Sequence, residues 1–169
     1  MRNSNVEMCV PISLPGGIVQ EAMVHVMPLI EKGESPYDKL ALSVTLAETK
    51  LNLPGNVSVP IRTRVAVHPE LWTCALDISA AGEVKFFPEF HGDLVVKPLG
   101  AGTCELWLQG TYEPPVGKAG NVLDVTLLRG VAKRSLQSFL EWLADDFEAY
   151  IAAHEKKRDD QARGRHGGG

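Results

Sequence analysis

The sequence predicts an α+β fold: an antiparallel sheet with one face wet and the other covered by a long C-terminal helix. Three observations predict it. Between residues 57 and 114, apolar side chains recur at every second position in short runs cut by Gly turns, as half-exposed antiparallel strands require. From about Asn121 the period changes to three and four. Ala132, Leu136, Phe139, Leu140, Leu143, Phe147, Tyr150 and Ile151 then form one continuous helical stripe, and such a stripe needs a face to bury against. Ahead of both, residues 5–13 alternate and the segments after them have helical periodicity.

Taken in order, the first element is a strand over "NVEMCVPIS" (5–13). Val6, Met8, Val10 and Ile12 share one face, and Glu7, Cys9 and Pro11 the other. "LPGG" ends it. A helix follows over 18–34, with Ile18, Ala22, Val26, Leu29 and Ile30 as its apolar stripe and a kink or break expected at Pro28. "SPYD" (35–38) offers a second helix start. Ser35 can cap, Pro36 suits the first helical position and Asp38 favours the positive first turn. Leu40, Leu42, Val44 and Leu46 also alternate, so a strand is the rival reading there. "LNLPGN" (51–56) closes the segment.

The sheet then reads as runs at 57–68, 71–79, 84–90, 94–99 and 103–114, with turns at "AAGE" (80–83), "HGD" (91–93) and "GAG" (100–102). Val57, Val59, Ile61, Thr63, Val65 and Val67 make one row, opposite Arg62, Arg64 and His68. Trp72, Cys74, Leu76 and Ile78 make another, and Cys104, Leu106, Leu108, Gly110 and Tyr112 a third. With the N-terminal run, six strands are expected.

"GTYEPPVGKAGNVLD" joins sheet to helix. Gly117 and Gly120 invite a phosphate-cradle reading, but the preceding strand alternates. Pro115 has no N–H to donate, and no Lys-Ser/Thr pair follows. The better reading is a joint: prolines stop the strand, glycines turn the chain, and Asn121 or Asp124 serves the helix start. A helix over 121–156 would span about 54 Å, whereas a domain of this length is about 38 Å across. It must therefore bend near Gly130 or protrude. Residues 1–153 are expected to form a single domain. The tail 154–169 carries five Lys/Arg against three Asp/Glu and ends in glycines, and is expected to be disordered.

The net charge of −4 (17 Lys/Arg, 21 Asp/Glu) points away from nucleic acid. No window approaches the roughly 18 apolar residues of a membrane span, and no signal-peptide pattern opens the chain. Cys9, Cys74 and Cys104 are isolated and odd in number, without zinc-ligand spacing. They read as reduced thiols of a cytoplasmic protein.

The stretches "FPEFHGDLVVKPLG" and "LQGTYEPPVGKAGNVLD…RGVAKRSLQSFLEWLADDF" resemble the late strands and terminal helix of the helix-grip superfamily. These are the SRPBCC domains, START-like and polyketide cyclase-like, and the likeness is to small bacterial members. It covers roughly residues 5 to 153 and is architectural. It implies a strongly bent sheet wrapped around the long helix, with two helices after the first strand and an apolar cavity between sheet and helix. Family members mostly bind hydrophobic small molecules; a minority are cyclases, dehydratases or hydrolases, and no shared catalytic set transfers. The chain departs from the pattern in having six strands where the family usually has seven, and long early helices.

The expected cavity lining is Trp72, Leu76, Phe90, Leu108, Tyr112, Ala132 and Phe139, although the same residues also read as plain core. Tyr112 is the best polar handle, because a buried hydroxyl needs a partner. Glu89 and His91 flank Phe90 at an expected turn, where a solvated pair is the simpler reading than acid–base work. Asp77 is expected to face solvent, and Arg62 and Arg64 to lie on a solvated face. His25 reads as a surface or internally satisfied residue. The expectation is a binder of a small hydrophobic molecule, without cofactor, metal or catalysis. The alternatives are a cyclase, dehydratase or hydrolase using the same cavity, and a packed oligomer subunit without one.

Overall fold

The computed structural model describes residues 4–33, 43–46, 57–81, 89–113 and 125–166. The elements in chain order are β1 (Ser4–Ile12), α1 (Gly16–Glu31), β2 (Ser43–Leu46), β3 (Val57–His68), a 3-10 turn (Pro69–Leu71), β4 (Thr73–Ala80), β5 (Glu89–Pro98), β6 (Cys104–Glu113) and α2 (Val125–His166). The strands form one sheet in the order β1-β6-β5-β4-β3-β2, and all its pairings are antiparallel.

Register carries the alternation across the sheet. One row runs Ser4–Tyr112–Phe90–Ile78–Thr63, and another Met8–Leu108–Leu94–Cys74–Val67. These rows face the helices. Phe90, Ile78, Tyr112, Leu108, Leu94 and Cys74 are all buried, whereas Arg62, Arg64, Asp77 and His91 on the opposite face are exposed. Burying so many apolar side chains between two layers is the main stabilising term, at about 25 cal/mol for each Å² withdrawn from water. The helix α2 lies against α1, β1, β6 and β2, and α1 lies against β3 and β5. Because β1 and β2 are opposite edges of the sheet, contact of one helix with both means the sheet curls round it.

A glycine pair lets two strands of the sheet approach closely. Gly92 and Gly110 sit directly opposite each other on β5 and β6. A Cβ on Gly92 would lie 2.1 Å from the Gln109 carbonyl oxygen and 2.7 Å from Gly110 Cα, and one on Gly110 only 2.3 Å from the His91 carbonyl oxygen. Glycine permits this approach, and a glycine kink is a usual way to coil a sheet. The expected turn at "HGD" is therefore wrong: residues 91–93 lie inside a single strand, Glu89–Pro98. Gly92 continues the strand with no chain reversal. Chain reversal occurs at the next turn, where the Leu99 N–H donates to the Thr103 carbonyl at 3.1 Å.

Two further expectations change. Residues 43–46 form a strand paired with β3, so the rival reading of that segment holds there, since pairing with the β3 edge outweighs helix propensity. The expected helix start at 35–38 lies outside the described residues, as do the strand positions 84–88 and the joint at 114–124. The stripe of α1 is also rotated by one position. Val19, Ala22, Met23, Val26, Met27 and Ile30 are buried, while Ile18 is 38% exposed. Pro28 does not break α1. It sits on the exposed side, where water can reach the carbonyl it leaves unbonded. The helix stops at Gly33, which has φ +74° and donates its N–H to the Ile30 carbonyl at 2.9 Å, the left-handed exit that glycine favours.

The terminal helix has 42 residues, about 63 Å at 1.5 Å per residue, so of the two expected outcomes its last turns protrude. Ala132, Leu136, Phe139, Leu140, Leu143, Phe147 and Ile151 are buried as the stripe requires. Residues 154–165 are exposed yet helical, through the segment expected to be disordered. Glu, Lys, Arg, Gln and Ala favour helix, and Lys156–Asp160 and Asp159–Arg163 are oppositely charged at a spacing of four. Gly130 faces open space; Ala132 is the small residue pressed against the core.

Replacing Gly92 with Ala is expected to lower stability by at least about 1–3 kcal/mol through forced displacement of the paired strand. Gly100→Ala, with no atom near its added methyl, should stay within about 0.5 kcal/mol. Phe139, 4% exposed, should cost about 3–5 kcal/mol on truncation to Ala. Urea unfolding measures all three.

Candidate functional site

The residues expected to line a site fall on the inner face of the sheet and the α2 stripe. Of the expected lining, Leu76, Phe90, Leu108, Tyr112, Ala132 and Phe139 are all buried. Trp72 is half-buried and packs against the same core from one end of the sheet. It stands outside the strand alternation, in a left-handed conformation (φ 55°) that caps the 3-10 turn. Its ring lies near Gly16, at the start of α1. Its carbonyl accepts from Val96 N–H at 3.1 Å, which puts Trp72 level with Leu106 of β6, because Leu106 pairs with Val96. That is six residues, about 20 Å, along the strand from Tyr112.

Tyr112 closes the other end of the inner face. It pairs with Phe90 across β5 and with Ser4 across β1, and its side chain is 1% exposed. Its hydroxyl is buried without a hydrogen-bond partner among the described residues. A phenol left so gives up its hydration with nothing in return, at a cost of about 1–3 kcal/mol. In the same cross-strand row Thr63 is satisfied: its hydroxyl donates to the Ile30 carbonyl at 3.3 Å.

The buried thiols are electrostatically quiet. Burial pushes Cys74 from its ordinary 9.0 up to about 12. A backbone hydrogen bond from Ala66 opposes that rise, and Asp93 and Glu31 add to it. Burial also raises Cys104. Both therefore remain protonated, and neither offers a nucleophilic thiolate at neutral pH. The thiols are free, as expected.

The histidine–carboxylate contacts lie elsewhere. His91 Nδ1 is 2.8 Å from Asp77 Oδ1 and its Nε2 3.8 Å from Glu89 Oε2, with all three side chains about half exposed on the outer face. Glu89 and His91 thus flank Phe90 in sequence but point away from it, because successive strand residues alternate. Sequence reasoning treated them as a turn and missed that Asp77 and Glu113 join them. The signal was the period of two, but only the register of three strands shows it. On α1, His25 stacks on Tyr150 at 5.9 Å between centroids, and Tyr150 stacks on His154 at 4.2 Å. Beside them, a half-open groove between α1 and α2 (Ile18, Ala22, Tyr150, Ile151) holds about 70 Å³, below the few hundred Å³ of small-molecule sites. No helix among the described residues is long and apolar enough to cross a membrane.

A curved antiparallel sheet closed over one long terminal helix is the helix-grip fold, and the chain has it. The structural comparisons agree. The ZhuI aromatase/cyclase from a Streptomyces species superposes with a TM-score of 0.56 at 14% identity, covering 89% of this chain and 96% of that one. Norcoclaurine synthase from Thalictrum flavum, solved with dopamine and hydroxybenzaldehyde, gives 0.51 at 11% identity, covering 90% and 88%. A conserved protein from Geobacillus kaustophilus gives 0.52 at 16%, covering 86% and 96%. No protein-family model and no curated protein matches the sequence.

The folded-state value of Cys74 lies above its unfolded one. Its contribution to stability is therefore complete below about pH 9 and is lost as pH rises toward 12. Cys74→Ala should remove that part of the alkaline fall in urea midpoint. In the native protein at pH 8, a thiol reagent should leave Cys74 and Cys104 unmodified until denaturant is added.

Proposed function

We propose that the protein binds a small, largely apolar molecule between the inner face of the sheet and α2, with the Tyr112 hydroxyl meeting a polar atom of that molecule, and that no reaction is required. The observation that carries this reading is the Tyr112 hydroxyl, buried and without a hydrogen-bond partner among the described residues. A ligand oxygen there would supply the missing hydrogen bond, and Phe90 beside it offers an aromatic wall. Leu76, Leu108, Ala132 and Phe139 complete the proposed lining; Trp72, at the far end of the sheet, does not contribute. A non-catalytic role is favoured because the buried Cys74 and Cys104 are held as thiols, Thr63 is already bonded, and the His–carboxylate contacts face outward.

The fold neighbours include a synthase solved with two phenolic compounds and an aromatase/cyclase. They make uncharged aromatic alcohols and ketones the right probes. They also supply the second reading, a cyclase-type enzyme working in the same space.

A panel of such compounds, followed by thermal shift and then by native mass spectrometry, tests the proposal. At least one is expected to bind one-to-one, to raise the melting temperature and to be recovered unchanged. Tyr112→Phe should fold at least as stably as the parent, since it deletes an unsatisfied hydroxyl, yet bind the same compound about tenfold more weakly, which is about 1.4 kcal/mol. Equal affinity in Tyr112→Phe would rule out the hydroxyl as the polar contact, and conversion of the compound would favour the enzyme.

A further inference from the structure

We propose that the outer face of the sheet carries a divalent-cation site of the zinc-binding type, built from Glu89, His91 and Glu113 and oriented by Asp77. Glu89 and His91 are two apart on β5 and so project on the same side, while Glu113 of β6 stands directly opposite Glu89. One donor atom from each lies within 4.8 Å of the others. Two ligands of one ion with bonds of about 2.0–2.2 Å stand up to about 4 Å apart. A small inward rotation of exposed side chains is therefore enough to close the shell.

The imidazole is already posed for this. Asp77, opposite His91 on β4, holds Nδ1 at 2.8 Å. The nitrogen left over, Nε2, is the one turned toward Glu89 at 3.8 Å. A carboxylate on one histidine nitrogen with a metal on the other is the usual second-layer arrangement at metal sites: it fixes the tautomer and raises the basicity of the ligand.

Charge points the same way, independently of that geometry. Two carboxylates directly opposite on adjacent strands repel, and no Lys or Arg among the described residues forms an ion pair with Glu89 or Glu113. Arg64 is opposite Asp77 in register, on the side away from β5. A bound dication removes the repulsion and ties the start of β5 to the end of β6. One imidazole with two carboxylates is a mixed N/O set, which favours zinc-like ions over calcium or magnesium. Three protein ligands leave a position for water. The inner side chains of the same strand ends are Phe90 and Tyr112, so the ion would stiffen the edge of the proposed ligand site, although the cation site stands without that reading.

The test is calorimetric titration of Zn²⁺ into the metal-free full chain, with Ca²⁺ in parallel and melting temperature as a second readout. One Zn²⁺ per chain is expected, with a rise in melting temperature and much weaker Ca²⁺ binding. His91→Gln and Glu113→Gln should each weaken Zn²⁺ binding at least tenfold and abolish the thermal shift. Asp77→Asn should weaken it about 10–100-fold while leaving the urea midpoint of the metal-free protein unchanged. His68→Gln, which alters the other His–Glu contact of the outer face, should bind as the parent does. Absent saturation, Zn²⁺ binding unaltered in His91→Gln, or equal affinity for Ca²⁺ and Zn²⁺ would each overturn the proposal. All the substituted side chains are exposed, and circular dichroism confirms folding of each variant.

Discussion

The structure depends on mutual burial between the inner face of the sheet and the apolar stripe of α2. Neither surface is stable alone: an isolated helix gains little from propensity, and a sheet exposing Leu76, Phe90, Leu94, Leu106 and Leu108 would aggregate. Together they withdraw both from water, with Leu136, Leu140, Leu143 and Phe147 on the helical side. The requirement that one helix serve a broad sheet forces the sheet to curl until both edges, β1 and β2, touch it. Curling needs backbone that can approach closely, and the Gly92–Gly110 pair provides it.

The same period of two that builds the core divides the chemistry. At the ends of β5 and β6, Phe90 and Tyr112 turn inward while Glu89, His91 and Glu113 turn outward. Neighbours in sequence thus serve different faces: apolar contact and a hydroxyl without a partner among the described residues inside, ionisable groups outside. Both features belong to one strand pair, so whatever stiffens one face stiffens the other.

Much of this was legible in the sequence, where one physical signal acted alone. β1, β3 and β6 follow from alternation, and the α2 stripe from a period of three to four, because each buries a single face. Legibility failed where two signals competed. "HGD" looks like a turn by composition, but Gly92 relieves a steric clash inside a strand, which appears only once Gly110 is placed opposite. Residues 43–46 suit helix or strand, and pairing with β3 decides. In α1 the wide apolar surface obscured its centre, so Val19, Met23 and Met27 were passed over for Ile18 and Leu29. Past His154 the charges and the terminal glycines suggested disorder, although charged helix formers can continue a helix already begun. Tyr112 was legible as a buried phenol because an aromatic hydroxyl in an apolar row is conspicuous. The conformation of Trp72 was not legible, because its left-handed backbone interrupts the alternation. The outer cluster was not legible as a unit, since three strands contribute to it.

The claim that the sheet is closed around α2 is tested most directly by nuclear Overhauser contacts on methyl-labelled protein. The account predicts contacts from the first half of α2 to side chains of both β1 and β2, and none to the sheet from residues 156–166. Contacts from α2 to only one of those edge strands would mean an open sheet with a helix lying across it, and would contradict the account.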